Sequence, residues 1–320
     1  YTLYTMACIA GGIATSMTHA NLHLFPYRTI LRAGILAVSA VFIASIILLA
    51  PHAVEAAGNT YHVAKTGSDA NPCSSASPSL TIVKGISKLS GGDTLKIRSG
   101  TYDELISSDF GINIPSGLST LQRTVITADA GATVIIKPTT PGGIFLISDR
   151  KYIEISDLTI DGSLQPETAS SNSGLYTSGL RSAVEGSYFH DLTIQNISEM
   201  CINGDGDNML IQRNLMKNCG KRNPPLCPSC GRGHAIYARY DNSIIEYNTV
   251  DTAGGYGYHV HCSDNPIACP SGVNNNIIRF NRATNTQGPG MLVGNGTNNV
   301  AYGNMLDRNA LRGNGTANFF

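Results

Sequence analysis

A polar residue recurs along the second half of this chain at the spacing expected for one turn of a solenoid. In-register alignment places Asp157, Asp191, Asn214, Asn248, Asn281 and Asn304 at one position, at intervals of 34, 23, 34, 33 and 23 residues. A repeat of this length is one supersecondary unit that cannot bury its apolar face alone, so copies must stack on one another. The short interval predicts one coil, and the long ones the same coil with about ten or eleven residues inserted. Inserts fall at residues 165–178, 221–232 and 263–271, all rich in Pro, Ser, Asn or Gly, as surface loops are.

Each coil resolves into strands. Twelve residues before the polar position, allowing for the inserts, lie Ile202, Ile236, Val260 and Leu292, predicted to stack inside the coil. A further strand precedes the polar column at Ile153/Ile155, Leu210, Ile244/Ile245, Ile277/Ile278 and Val300. Stacked Asn amides hydrogen-bond from one layer to the next, so the column reads as structural. With 34 Gly, no Trp and 14% charged residues, the composition favours short strands and tight turns over helices. The expected fold is all-β: a right-handed parallel β-helix over residues 57–320. The last clear coil closes near Asn309 with no capping element, which predicts a solenoid truncated at its C-terminus.

Residues 1–56 stand outside the repeat. Arg28 and Arg32 precede an uncharged apolar run at 33–50, and Val54-Glu55-Ala56-Ala57 follows it with small side chains at the exit. That order predicts an N-terminal extension with a secretory signal peptide, an uncleaved membrane anchor being the alternative. The expected location is secreted, periplasmic or cell-surface. Cys73, Cys201, Cys219, Cys227, Cys230, Cys262 and Cys269 then read as disulfide formers, with Cys262–Cys269 closing a short loop and Cys219 pairing with Cys227 or Cys230. Half a zinc site or a redox pair is the sharper reading of Cys227-Pro-Ser-Cys230, but no second pair completes it. Zero formal net charge argues against nucleic acid as a partner.

A solenoid end needs covering. Strand signals at 60–64 and 94–97 flank a short amphipathic helix at 82–89, predicted to cap the first coil. Gly67-Ser68-Asp69, Gly92-Asp93-Thr94 and Gly100-Thr101-Tyr102 punctuate this segment. Together they resemble the opening of secreted right-handed β-helix proteins, the large group that includes pectate lyases, alginate lyases and other polysaccharide lyases. The resemblance covers residues 60–310. It implies an extracellular carbohydrate-active protein with an acidic polysaccharide as partner.

Function on such a solenoid lies on outward side chains of one sheet, flanked by turn loops. Positions flanking the inward column place Cys201 and Asn203, Ala235 and Tyr237, His259 and His261, and Met291 and Val293 outward. His259 and His261 therefore share a face with Tyr237, with His234, Arg239, Asp205, Asp207, Asp241 and Asp264 nearby. Proton abstraction beside a uronate carboxyl needs a base, an acid and a neutralising cation. His259 or His261 suits the base, Tyr237 the acid and Arg239 the neutraliser, with His234, Asp205, Asp241 and Asn203 binding substrate. That describes a lyase or C5-epimerase. An inverting glycoside hydrolase would use a carboxylate pair such as Asp205 and Asp241. A non-catalytic glycan-binding or adhesion module would use the same face without chemistry. Asp205-Gly206-Asp207-Asn208 reads as a turn, with calcium as the alternative. His-x-His offers two metal ligands but no identifiable third. No organic cofactor is implied, because no phosphate-binding Gly-rich turn precedes a helix. A monomer is expected.

Overall fold

The structure, a computed structural model, describes residues 58–166, 173–220, 233–262 and 272–311. The apolar run at 33–50, Cys227, Cys230, Cys269, Asp264, the inserts at 221–232 and 263–271 and part of the first insert lie outside them. Among the described residues no helix is long and apolar enough to cross a membrane.

The chain coils through three parallel sheets in turn. Among the described residues the first sheet has nine strands, from Thr60–Val63 to Val300–Tyr302, the second eight, from Gly100–Tyr102 to Met305–Asp307, and the third seven, from Ile106–Ser107 to Met291–Val293. Every ladder pairs one coil with the next, so inward side chains stack in columns. On the third sheet the column is Phe145, Leu175, Ile202, Ile236, Tyr258 and Met291, all fully buried. Each such side chain contributes about 1.5–3 kcal/mol by leaving water.

Bends keep the strands short. Arg213, Tyr247 and Phe280 take left-handed φ values of 56°, 57° and 55° between the first and second sheets. Bulky residues in that region cost about 1–2 kcal/mol each. The asparagine that follows each bend offsets the cost. Asn214 Nδ2 donates to Asn248 Oδ1 at 2.9 Å, Asn248 to Asn281 at 3.0 Å and Asn281 to Asn304 at 3.1 Å. Each amide also donates to a backbone carbonyl, of Phe189, Ile211 and Ile245 in turn.

Three registers differ from the sequence expectation. Thr193 pairs with Thr159 and with Leu215, so the position equivalent to Asn214 is held by Leu192 and Leu158. Asp157 and Asp191 are the left-handed bend residues one place earlier, and the amide ladder starts at Asn214. On the third sheet Val260 stacks with Ala238, because Tyr258 takes the position opposite Ile236. Leu292 pairs with His259 and faces outward, while Met291 and Val293 take the inward side. The connection from Met291 to Val300 is one residue longer than those from Ile202 to Leu210 and from Ile236 to Ile244, and one residue reverses every face. Cys201 and Ala235, expected outward, are fully buried where the chain bends into the third sheet. Cys219 bonds to Cys201, with Cα atoms 5.4 Å apart, rather than to Cys227 or Cys230. Both are buried, so the bridge closes one coil from inside. Cys262 is also disulfide-bonded.

At the N-terminal end the helix spans Ile82–Ile86, shorter than expected, and packs on strands Thr60–Val63 and Thr94–Ile97. A Cβ on Gly85 would come within 2.6 Å of Leu95 and 2.8 Å of Val63, so only glycine lets the helix lie this close. The punctuating motifs satisfy backbone donors here. Asp69 accepts from Leu80 N and Thr81 N, Glu104 from Ile82 N and Val83 N, and Asp93 from Asn59 N and Ser90 N.

Candidate active site

Outward residues of the third sheet form rows across the coils. One row, in register, runs Leu146, Tyr176, Asn203, Tyr237, His259 and Leu292. The next row pairs Asp205 with Arg239. Alternating burial along Ile202–Asp207 and Ile236–Asp241 fixes these faces. Asp205-Gly206-Asp207 is therefore strand, not the expected turn, and the chain turns only at Asn208 with φ 52°.

The structure brings His234, Tyr237, His259 and His261 together. The His259 ring stacks on Tyr237 at 4.7 Å and on His261 at 5.1 Å between centroids. His259 Nδ1 lies 3.1 Å from His234 Nε2. His234, only 4% exposed, sits at the bend leading into Ile236–Asp241, and its Nδ1 accepts from Tyr256 N at 3.0 Å. Gly255 makes that approach possible, since a Cβ there would stand 2.6 Å from His234 Nδ1. Burial, and then the neighbouring His261, push the His259 imidazole down to about 3, so it is neutral at ordinary pH.

Arg239 and Asp205 form a bidentate pair, with Nε to Oδ1 at 2.8 Å and the terminal nitrogen to Oδ2 at 2.7 Å. Burial pulls the guanidinium down, but the Asp205 carboxylate outweighs it and holds Arg239 firmly charged. Arg239 also lies over the Tyr237 ring at 5.1 Å. Asp241 stands apart from the imidazoles in hydrogen-bonding terms. Its oxygens accept from Arg181 at 2.6 Å and Asn274 N at 2.7 Å, so it clasps neighbouring segments. Asp207 accepts from Asn242 at 2.7 Å. No group of three or more metal-ligand side chains occurs among the described residues.

Other polar atoms on this face are unmet. Asn203 Oδ1 is sealed from solvent with no hydrogen-bond partner. Among the described residues, the Tyr237 hydroxyl and the His261 ring nitrogens have no hydrogen-bond partner. Sequence reasoning missed Tyr256, whose ring lies 4.6 Å from His259 and 4.9 Å from His234, and Tyr176 in the outward row. The signal for Tyr256 was the Gly254-Gly255 pair just before it, which marks a close backbone approach.

The model of the family described as "right handed beta helix region" matches residues 142–318. The chain belongs to this family. Its coils are similar to those of several solved structures. Alginate lyase from Paenibacillus sp. str. FPU-7 is 12% identical, with 82% of this chain and 97% of the other covered and a TM-score of 0.46. XylC in its complex with xylose is 13% identical, with 78% and 69% covered and a TM-score of 0.45. A rhamnogalacturonan lyase is 14% identical, with 77% and 58% covered and a TM-score of 0.34. No curated protein matches the chain.

Proposed function

We propose that this β-helix protein is an exported enzyme that acts on an acidic polysaccharide at the outward face of the third sheet, by β-elimination or C5 epimerisation. The observation that carries the reading is the stacked Tyr237–His259–His261 array, in which the phenol oxygen, His259 Nε2 and the His261 nitrogens have no partner among the described residues. In elimination a base takes the C5 hydrogen as a proton, and its bonding pair becomes the C4–C5 double bond as the C4–O bond breaks. The departing oxygen then takes a proton from an acid. One imidazole of the His259/His261 pair serves as base and Tyr237 as acid. Epimerisation shares the first step and returns the proton to the opposite face. Arg239 can neutralise the substrate carboxylate only in competition with Asp205, so the pair acts as a unit packed over the Tyr237 ring. Asn203, beside Tyr237 in the outward row, and His234, against His259, border the same face and would flank the bound sugar.

Hydrolysis is less well supported, because the carboxylates it would use, Asp205 and Asp241, are each engaged by an arginine. Export is supported by the apolar run after Arg28 and Arg32 and by the Cys201–Cys219 bridge, which persists in oxidising compartments.

The test is incubation with pectate, alginate and glucuronate-containing glycans, with and without calcium, following ultraviolet absorbance and reducing ends together. Absorbance rising with reducing ends supports elimination, and solvent deuterium entering C5 without cleavage supports epimerisation. Reducing ends alone overturn the reading in favour of hydrolysis. Binding without any turnover overturns it in favour of a glycan-binding module.

A further inference from the structure

The hydrogen-bond directions around His234 determine more than the site's location. A backbone N–H can only donate, so Tyr256 N makes His234 Nδ1 an acceptor at 3.0 Å. A neutral imidazole with Nδ1 as acceptor carries its proton on Nε2. That Nε2–H faces His259 Nδ1 at 3.1 Å and is placed to donate to it. His259 Nδ1 is thereby also an acceptor, and the His259 proton resides on Nε2. Nε2 has no protein partner among the described residues, yet it is not among the atoms sealed from solvent.

From this relay we infer that His259 is a neutral hydrogen-bond donor through Nε2–H to the substrate carboxylate, with His234 as the positioning residue that fixes its tautomer and His261 as the base. The inference rests on the proposed reading of the face and divides its chemistry between the two outward histidines. Protonating His259 would put a hydrogen on each of its nitrogens. Its Nδ1–H would then meet His234 Nε2–H, and His234 cannot reverse because Tyr256 N–H occupies its other nitrogen. His259 is therefore poorly suited to take a proton and well suited to give a hydrogen bond. As the C5 proton leaves for His261, negative charge gathers on the carboxylate oxygens, where a fixed donor stabilises the transition state more than the ground state. The His259 proton stays on Nε2 throughout, and the proton for the leaving oxygen comes from Tyr237.

The surroundings agree. The groups facing His259 are His234, His261, Tyr237, Tyr256 and Leu292, with Arg239 and Asp205 paired to each other beyond Tyr237. Among the described residues no carboxylate is bonded to the ring. Burial among rings holds the imidazole neutral, as the relay requires.

The first test needs no substrate. Ring nitrogen NMR of the nitrogen-15 histidine-labelled protein, with the His259 signals assigned by their absence in His259→Gln, reads the tautomer directly. The expected result is a pyridine-type Nδ1 and a pyrrole-type Nε2, unchanged from about pH 8 to pH 5, a range in which an ordinary histidine titrates. His234→Phe should lose that fixed pattern. An Nδ1–H tautomer, or titration within that range, would overturn the inference whether or not a polysaccharide is turned over. On a responding polymer, His259→Gln keeps a side-chain N–H donor and should retain at least about tenfold more activity than His259→Ala. His261→Gln should be as inactive as His261→Ala. Equal loss in the two His259 variants would identify His259 as the base and refute the assignment while leaving elimination itself intact.

Discussion

His190 and His259 occupy comparable outward strand positions on different sheets, and their surroundings drive them in opposite directions. His190, on the first sheet, has Nδ1 2.6 Å from Asp191 and Nε2 3.3 Å from Glu154. Burial lowers its basicity, but the two carboxylates outweigh that and raise its pKa above the usual value. His259 is held among rings, bonded to another imidazole, and pushed down. The first-sheet face is satisfied from within. Arg213 meets Asp191 at 2.7 Å, Tyr188 bonds Gln212 at 2.6 Å, and Arg279 meets Glu246 at 2.6 Å. Among the described residues, the third-sheet face leaves the outer atoms of Tyr237, His259 and His261 unmatched. A face whose polar groups already pair offers a ligand little, whereas unmet groups gain when one arrives.

The contrast should be sharpest in catalysis. His259→Ala is expected to lower kcat/KM by about a hundredfold or more, the range for losing a positioned polar catalytic group. His190→Ala should leave it within about twofold, with both variants folded by circular dichroism. The ion pairs should differ next. Removing Asp205 leaves Arg239, largely enclosed, without its partner, and Asp205→Ala should cost about 3 kcal/mol in urea unfolding. Asp191→Ala opens a more exposed pair and should cost about 1 kcal/mol or less. Equal losses would remove the distinction between the faces.

The pH dependence of stability gives the smallest and most specific effects. His259 is neutral when folded and ionises readily when unfolded. Its neutral form is therefore at no disadvantage above about pH 6.5, and stability falls as pH drops from there toward about 3. His259→Asn should flatten that acid limb by up to about 1 kcal/mol per pH unit. His190 has the opposite sign. Its bonds to Glu154 and Asp191 stabilise fully below about pH 6.5 and weaken as pH rises through its raised folded pKa. His190→Gln should therefore cost more at pH 6 than at pH 9, measured by urea midpoints. A shared sign at the two histidines would show that the neighbouring carboxylates do not govern the difference.

The fold was legible because a solenoid writes its geometry as a period, and the Asn214-to-Asn304 ladder preserves that period where the chain bends. Individual faces were less legible. Leu292 and Met291 exchanged sides because one extra residue in a connection leaves the composition unchanged but inverts the alternation. The Asp205–Arg239 pair was within reach of sequence reasoning, since both stand the same distance before Asn214 and Asn248 in adjacent coils. The relay through His234 was not, because the group that sets its direction is the backbone N–H of Tyr256, which carries no sequence signature beyond the glycines before it. The Cys201–Cys219 bridge was hidden for a related reason: its cysteines meet inside the coil, although strand alternation assigned Cys201 to the surface.

The most direct test of a ligand face on the third sheet is to follow the assigned histidine ring signals while a galacturonate or mannuronate trisaccharide is added. The signals of His259 and His261 should shift together and saturate, with His190 unmoved. Shifts at His190 with His259 and His261 unmoved, or no shift at any of the three with uronides that the protein demonstrably turns over, would contradict the account.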